Sequence, residues 1–195
     1  MHKITIAITF LMLCFMQNIH AQKFKASLIL GTNISQIDGD SLYGFKKLGL
    51  TTGGRLSYTN NKTFDLALEM LYSQRGSSVK LFSKQANEKI PLNFLEIPVV
   101  VSLRDWYIEK GGYYKVRAEG GLSYGYLFNA SSSKYDVTKF GKSDLSWLLG
   151  VGINLNKKIG IAARYTSSFI DIYKDTPDLV YFKSYFITLR TEVNL

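Results

Sequence analysis

Three serines and one pair of carboxylates are the residues of this sequence that come closest to catalytic chemistry. Ser73, Ser123 and Ser146 could serve as nucleophiles for acyl transfer, and Asp65 with Glu69 could act as an acid and a base. A serine nucleophile needs a base whose pKa lies near neutrality, usually a histidine. Both histidines of the chain fall within residues 1–21. We therefore expect that the protein is not an enzyme, and that Asp65 and Glu69 are partners of arginines.

The first 21 residues have the composition of a cleaved signal peptide. Lys3 precedes an apolar run over residues 4–16, and the small residue Ala21 ends the segment. The alternative, a retained anchor, is disfavoured because the run is too short to span a bilayer as a helix. The sequence predicts a signal peptide over residues 1–21 and one domain over residues 22–195. Cleavage would also remove Cys14, so we expect neither a cofactor nor a metal.

The charge of the chain points to an anionic partner. It has 24 Lys and Arg against 15 Asp and Glu, a formal net charge of +9. An exported chain seldom meets nucleic acid, so we expect outer-membrane lipid as the partner and no nucleic acid. Six lysines of two predicted long loops could contact lipid phosphates, or could simply form a solvated rim. They are Lys80, Lys84, Lys89, Lys134, Lys139 and Lys142.

Apolar and polar residues alternate with period two in eight segments, which is the pattern of β-strands with two unlike faces. The connections between these segments are alternately long and short, as in an up-and-down outer-membrane barrel with short periplasmic turns. We predict an all-β fold, an eight-stranded antiparallel up-and-down transmembrane β-barrel. The segments span residues 24–34, 48–58, 64–72, 95–104, 114–128, 145–155, 159–166 and 184–195.

All charged residues within these segments lie on the polar face. Since Lys or Arg at the midplane of a lipid-facing surface costs about 2 to 4 kcal/mol, the apolar face is expected to meet lipid and the polar face to line the lumen. A soluble lipocalin-like barrel would invert the two faces, but the many glycines of the polar face favour a crowded interior. The predicted lumen charges are Lys25, Arg55, Asp65, Glu69, Glu96, Arg104, Lys115, Arg117, Glu119, Arg164, Arg190 and Glu192.

Two longer motifs carry a resemblance to a known family. Residues 67–76 (ALEMLYSQRG), residues 92–101 (LNFLEIPVVV) and the Arg164-Tyr165 strand resemble the PorT-like small outer-membrane barrel proteins of Bacteroidota. The resemblance implies an integral protein of the cell outer membrane. The namesake of that family is an accessory of type IX secretion, so the resemblance also implies possible partners among envelope or secretion proteins.

The predicted lumen suggests a structural or protein-interaction role. An eight-stranded barrel is just wide enough inside for its own side chains, so we expect the lumen charges to pair with one another. The alternative is a small pore or a ligand-binding barrel, porin-like or lipocalin-like. The apolar residues of the last long loop, such as Phe169, Ile170 and Tyr173, could fold over the barrel mouth or dock a partner.

Overall fold

Antiparallel β-strands make up almost the whole structure, a computed structural model that describes residues 24–40, 44–59, 63–80, 89–133, 135–175 and 180–195. The predicted signal peptide lies outside these residues. The strands are β1 (Phe24–Asp38), β2 (Lys47–Thr59), β3 (Phe64–Ser78), β4 (Lys89–Ile108), β5 (Tyr113–Ala130), β6 (Ser143–Asn154), β7 (Ile159–Ser168), β8 (Tyr173–Asp175) and β9 (Val180–Asn194), with a short 3-10 helix at Val137–Lys139.

The strands close into a barrel. Each of β1 to β7 pairs antiparallel with its neighbour in sequence, β7 pairs with β9, and β9 pairs back onto β1, for example at Gly31↔Arg190. The short strand β8 pairs with the first residues of β9 beyond the barrel wall. Eight strands therefore form the barrel, which confirms the predicted fold class.

Short and long connections lie at opposite ends of the barrel. The strand ends that the short connections join, from β2 to β3, from β4 to β5 and from β6 to β7, lie at one end, where β1 also begins and β9 ends. The strand ends that the longer connections join, from β1 to β2, from β3 to β4, from β5 to β6 and from β7 to β9, lie at the other end. In an outer-membrane barrel the end with short turns faces the periplasm. We call the two ends periplasmic and outer below.

Several strands are longer at the outer end than the sequence predicts. β3 runs to Ser78 and β4 begins at Lys89, so Arg75 and Lys89, which we expected in a loop, belong to strands. The alternation fades there because outward positions such as Gln74 and Asn93 are polar. Side chains that lie beyond the lipid layer face water, so no apolar signal marks the end of the strand.

The outward face is a continuous apolar surface. Leu68, Leu149 and Val151 are 52%, 59% and 62% exposed, whereas the inward neighbours Ala67, Glu69 and Leu148 are buried. Aromatic rings pair near both ends of this surface, with Phe24 and Tyr58 5.1 Å apart at the periplasmic end, and Trp147 and Tyr165 5.5 Å apart at the outer end. Such belts mark the interfaces of a bilayer. Within the described ranges, no helix has the length and apolar character needed to cross a membrane.

Glycines on the inward face let neighbouring strands approach closely. A Cβ atom on Gly53 would collide with the backbone carbonyl of Met70, and one on Gly121 with that of Val99. These contacts come from the adjacent strand rather than from flexible side chains, so the glycines permit the sharp curvature that a narrow barrel needs. The small residues of the polar face thus have a steric role in closing the barrel.

Candidate functional site in the barrel lumen

Glu69 is the centre of a buried ion-pair network at the middle of the lumen. Its Oε1 accepts from Arg55 Nη1 at 2.9 Å, and its two oxygens face the guanidinium of Arg164 at 2.8 and 3.0 Å. Arg190 makes the same bidentate contact, at 3.0 Å to each oxygen. Three arginines from β2, β7 and β9 therefore surround one carboxylate from β3, and they tie together strands that are not neighbours in the barrel wall.

Glu119 and Glu192 extend this network. Glu119 accepts from Arg164 at 2.9 Å and from Arg55 at 3.2 Å. Glu192 lies 2.7 Å from Arg190 and 2.7 Å from Arg117. The other two nitrogens of the Arg55 guanidinium donate to hydroxyl groups, Nε to Ser57 and Nη2 to Ser102. A buried charge is costly unless it is paired, and each charge of this network lies within ion-pair distance of an opposite charge.

A second cluster surrounds Arg75 nearer the outer end. The Arg75 side chain is fully buried and bridges Glu96 and Asp144, with a shortest contact of 2.7 Å to each carboxylate. Its guanidinium lies between two aromatic rings, 4.4 Å from the centre of Phe94 and 4.3 Å from that of Phe186. Planar stacking and forked hydrogen bonding are properties that arginine has and lysine lacks.

Charged residues at the periplasmic end are arranged differently. Arg104 pairs with Asp65 at 2.9 Å and lies over the ring of Tyr114. The Lys115 ammonium lies 4.3 Å from the ring centre of Trp106. Lys25 is exposed and lines a cavity at this end rather than the central network. Lys25 and Lys115, predicted as lumen charges, therefore lie at the mouth of the barrel.

The ion-paired charges of the lumen are equal in number within the part of the chain that the structure describes. Each of six carboxylates there lies within ion-pair distance of at least one of six arginines. The arginines are Arg55, Arg75, Arg104, Arg117, Arg164 and Arg190, and the carboxylates are Asp65, Glu69, Glu96, Glu119, Asp144 and Glu192. These six pairs therefore contribute no net charge that would attract a permeating ion to the centre of the lumen.

Apolar side chains close the outer end of the lumen. The β8 strand and the 3-10 helix lie over this end, where the ring of Tyr173 stacks on that of Phe182 at 4.7 Å. Ile172 donates its N–H to the carbonyl of Phe182 and accepts from Gly141, which fixes the segment in place. The cluster comprises Ile37, Ile90, Leu92, Phe94, Leu127, Phe140, Ile172, Tyr173 and Phe182. The last long loop therefore folds into the mouth through Ile172 and Tyr173, whereas Phe169 and Ile170 stay exposed.

None of the three candidate serines is placed to act as a nucleophile. Ser73 accepts from the Asn33 amide at 2.8 Å, and Ser146 donates to Asp144 at 2.9 Å, whose carboxylate already pairs with Arg75. Ser123 is buried. A carboxylate held by a guanidinium is a poor base. Among the described residues, no group of three His, Cys, Asp or Glu could hold a metal ion.

The six candidate headgroup lysines divide into three groups. Lys80, Lys139 and Lys142 are exposed at the outer end, Lys89 is half-buried in the first position of β4, and Lys84 and Lys134 lie outside the described residues. Close to Lys139, the Asp136 carboxylate accepts from the Thr138 hydroxyl at 2.7 Å and from its N–H at 2.9 Å. These bonds lower the pKa of Asp136 below its ordinary value, so this loop keeps its one carboxylate charged beside the lysines.

Two charged residues and several apolar residues of the lumen were not predicted from the sequence. Arg75 and Asp144 lie at the ends of the alternating segments, but each has the inward parity of its strand. Continuing that parity past the last apolar residue would have found both. Val100 and Leu148 also face inward and pack with Ala67 in a small apolar cluster. The lumen is therefore mixed rather than uniformly polar.

Residues 16–174 match the family described as outer membrane protein beta-barrel domain. The chain belongs to this family. Its membership and its barrel place the protein in the cell outer membrane, as predicted. The apolar outward face of this family member therefore contacts outer-membrane lipid.

Solved structures of small outer-membrane barrels share the fold. The Ail attachment invasion locus protein of Yersinia pestis, in complex with the heparin analogue sucrose octasulfate, has a TM-score of 0.52 at 16% identity over 89% of this chain and 99% of that one. Neisserial surface protein A (NspA) has a TM-score of 0.50 at 13% identity over 88% and 96%. At this identity the likeness concerns the fold alone. No curated protein matches the sequence.

Proposed function

We propose that this protein is a non-conducting outer-membrane barrel that acts as a structural or protein-interaction module. The observation that carries the proposal is the set of six arginines and six carboxylates that form ion pairs with one another along the lumen. A permeating ion would have to displace arginines from their carboxylates and then pass the apolar cluster at the outer end. Because the centre of the lumen is closed, the lipid-facing surface, the loops and the two ends of the barrel are the parts that can contact a partner.

The proposed partners lie at the outer end. Phe169 and Tyr181 are 52% and 46% exposed beside the apolar cluster, where a docking protein could cover them. The resemblance of residues 67–76 and 92–101 to PorT-like proteins supports the narrower proposal of an accessory in a secretion or envelope assembly. The exposed Lys80, Lys139 and Lys142 suit contact with lipid phosphates at the outer leaflet.

The proposal also includes export. We expect residues 1–21 to be removed during export, so that the mature protein begins at Gln22. Intact-mass measurement of the protein extracted from outer membranes tests this directly. A mass that retains Met1 would contradict the cleaved signal peptide and leave the barrel itself unaffected.

Electrical recording tests the lack of conductance. The protein is extracted in mild detergent, and a gel band that shifts on boiling confirms that the barrel is folded. Folded protein is then reconstituted into planar bilayers, with a known porin as the positive control. We expect no stepwise current. Reproducible steps that disappear when the sample is boiled beforehand would refute the proposal and favour the small pore.

A double variant shows which part of the lumen prevents conduction. Glu69→Ala with Arg190→Ala removes the central carboxylate and one of its arginines together. The double variant therefore has a smaller network, and the net charge of the lumen does not change. If the network blocks the lumen, this variant should leak more than the wild type. If neither the variant nor the wild type carries current, the apolar cluster alone is sufficient to close the lumen.

A further inference from the structure

The lumen has one open cavity at its periplasmic end, and neither the charge network nor the apolar cluster fills it. Its volume is about 450 Å³, which lies within the range of small-ligand pockets. The turn residues Gly112, Lys157 and Lys158 form part of its rim, and the first residues of β1 and the last of β9 complete it. Arg55, Arg117 and Glu192 of the central network form its floor. The cavity therefore ends blindly and is reached from the periplasm.

Three lysines give this cavity an excess of positive charge. The arginines of its wall and floor have partners, because Arg104 pairs with Asp65 and Arg117 with Glu192. Lys25, Lys157 and Lys158 also line the cavity, but they take part in none of the ion pairs formed by the described residues. Lys25 is close enough to Arg104, Asp65 and Lys157 to experience all three charges, two of which are like its own. Like charges that converge on a concave site attract an anion.

The remaining lining residues supply directional contacts and apolar area. The amides of Asn154 and Asn194 are fixed, since Asn154 donates to the Tyr114 carbonyl at 2.7 Å and Asn194 to the Lys157 carbonyl at 2.9 Å. The rings of Tyr107 and Tyr114 lie 5.0 Å apart on one side of the cavity. A few placed polar groups beside aromatic rings are typical of a ligand site.

We propose that this cavity binds a small periplasmic ligand with two or more negative charges, carried by phosphate groups or by clustered carboxylates. The three lysines of the lining match such a ligand in charge, and the volume of about 450 Å³ matches it in size. The proposal goes beyond the proposed function, because it rests on the shape and charge of the periplasmic cavity and not on the loops of the outer end. It gives the periplasmic end of the protein a recognition role separate from the outer loops.

Calorimetric titration of the full folded protein in an uncharged detergent tests the proposal. The probes are inorganic pyrophosphate, tricarballylate as a carboxylate of similar charge, and lactose as a neutral ligand. We expect saturable binding of at least one anion, weakened by added salt, and none of lactose. The anion that binds more tightly identifies phosphate or carboxylate as the preferred group.

Matched variants then locate the binding. Lys25→Gln, Lys157→Gln and Lys158→Gln should each weaken binding about threefold to fivefold, and the triple variant at least tenfold. Lys139→Gln with Lys142→Gln makes the same chemical change at the opposite end of the barrel and should leave binding unchanged. All variants are first checked for the band shift on boiling. Because the lysines are exposed at the mouth, we expect the barrel to fold without them.

Two results would overturn the proposal. One is the lack of saturable binding of both anions to the wild-type protein at low salt. The other is binding that the triple variant retains and the outer-end variant loses, which would place the anion site on the outer loops. In either case Lys25, Lys157 and Lys158 would be a solvated rim, and the conductance test of the proposed function would be unaffected.

Discussion

Neutralising Glu69 should destabilise the barrel far more than neutralising any exposed carboxylate. In Glu69→Gln the shape is kept, but one oxygen becomes an NH2 group that donates hydrogen bonds. Both oxygens of Glu69 accept from arginines, Oε1 from three and Oε2 from two. In either orientation of the amide, at least two guanidinium donors would therefore face another donor. Removing one partner of a buried pair costs about 3 to 5 kcal/mol, and we expect that loss here.

Urea unfolding of the protein in lipid vesicles measures this loss, with tryptophan fluorescence and the boiling-sensitive gel band as two independent probes. Glu109→Gln is the matched control, because Glu109 is exposed in the turn between β4 and β5, and its change should stay within about 0.5 kcal/mol. Glu192→Gln should fall between the two, since Glu192 borders the periplasmic cavity and its contacts of 2.7 Å are with Arg117 and Arg190, whereas Arg55 lies 3.9 Å away. Equal stability of Glu69→Gln and Glu109→Gln would refute the role of the network.

Three further substitutions test separate parts of the structure by the same unfolding measurement. Arg75→Lys keeps the charge but loses the fork that bridges two carboxylates and the stacking between two rings, so it should cost about 1.5 to 3 kcal/mol. Leu149→Arg places a charge in the middle of an outward strand face and should cost about 2 to 4 kcal/mol, whereas Leu195→Arg at the strand end should cost about 0 to 1 kcal/mol. Gly121→Ala should cost about 1 to 3 kcal/mol, because its Cβ meets backbone of the neighbouring strand. A change below 0.5 kcal/mol in any of the first-named variants would contradict the contact on which it rests.

The fold could be predicted from the sequence because, within the lipid layer, one face of each strand meets lipid and the other meets the lumen. Outward positions must be apolar there, so period two appears in all eight strands, for instance over Phe64–Ser78 as far as Tyr72. Beyond the lipid layer that demand ends. Gln74 then replaces an apolar residue on the outward face, and the sequence no longer shows that the strand continues to Arg75.

The arrangement of side chains in the lumen could be predicted only in part. Alternation places charges inside, but which arginine meets which carboxylate depends on the stagger of strands around the closed barrel. Arg190 and Glu69, for example, are 121 residues apart and lie on strands that are not paired with each other. The apolar cluster at the outer end and the cavity at the periplasmic end arise from packing of loop and strand ends, which carry no periodic signal.

The most direct test of the account is to establish which face of one strand meets lipid. Cys14→Ser removes the single cysteine of the chain, and Ser27→Cys or Leu28→Cys then provides adjacent labelling sites in β1 for a small fluorophore. Leu28 is 55% exposed on the outward face, and Ser27 lines the periplasmic cavity. In lipid vesicles the label at position 28 should be quenched by spin-labelled lipid, and the label at position 27 by aqueous iodide. The reverse pattern would show that the apolar face points inward, and it would contradict both the membrane barrel and its ion-paired lumen.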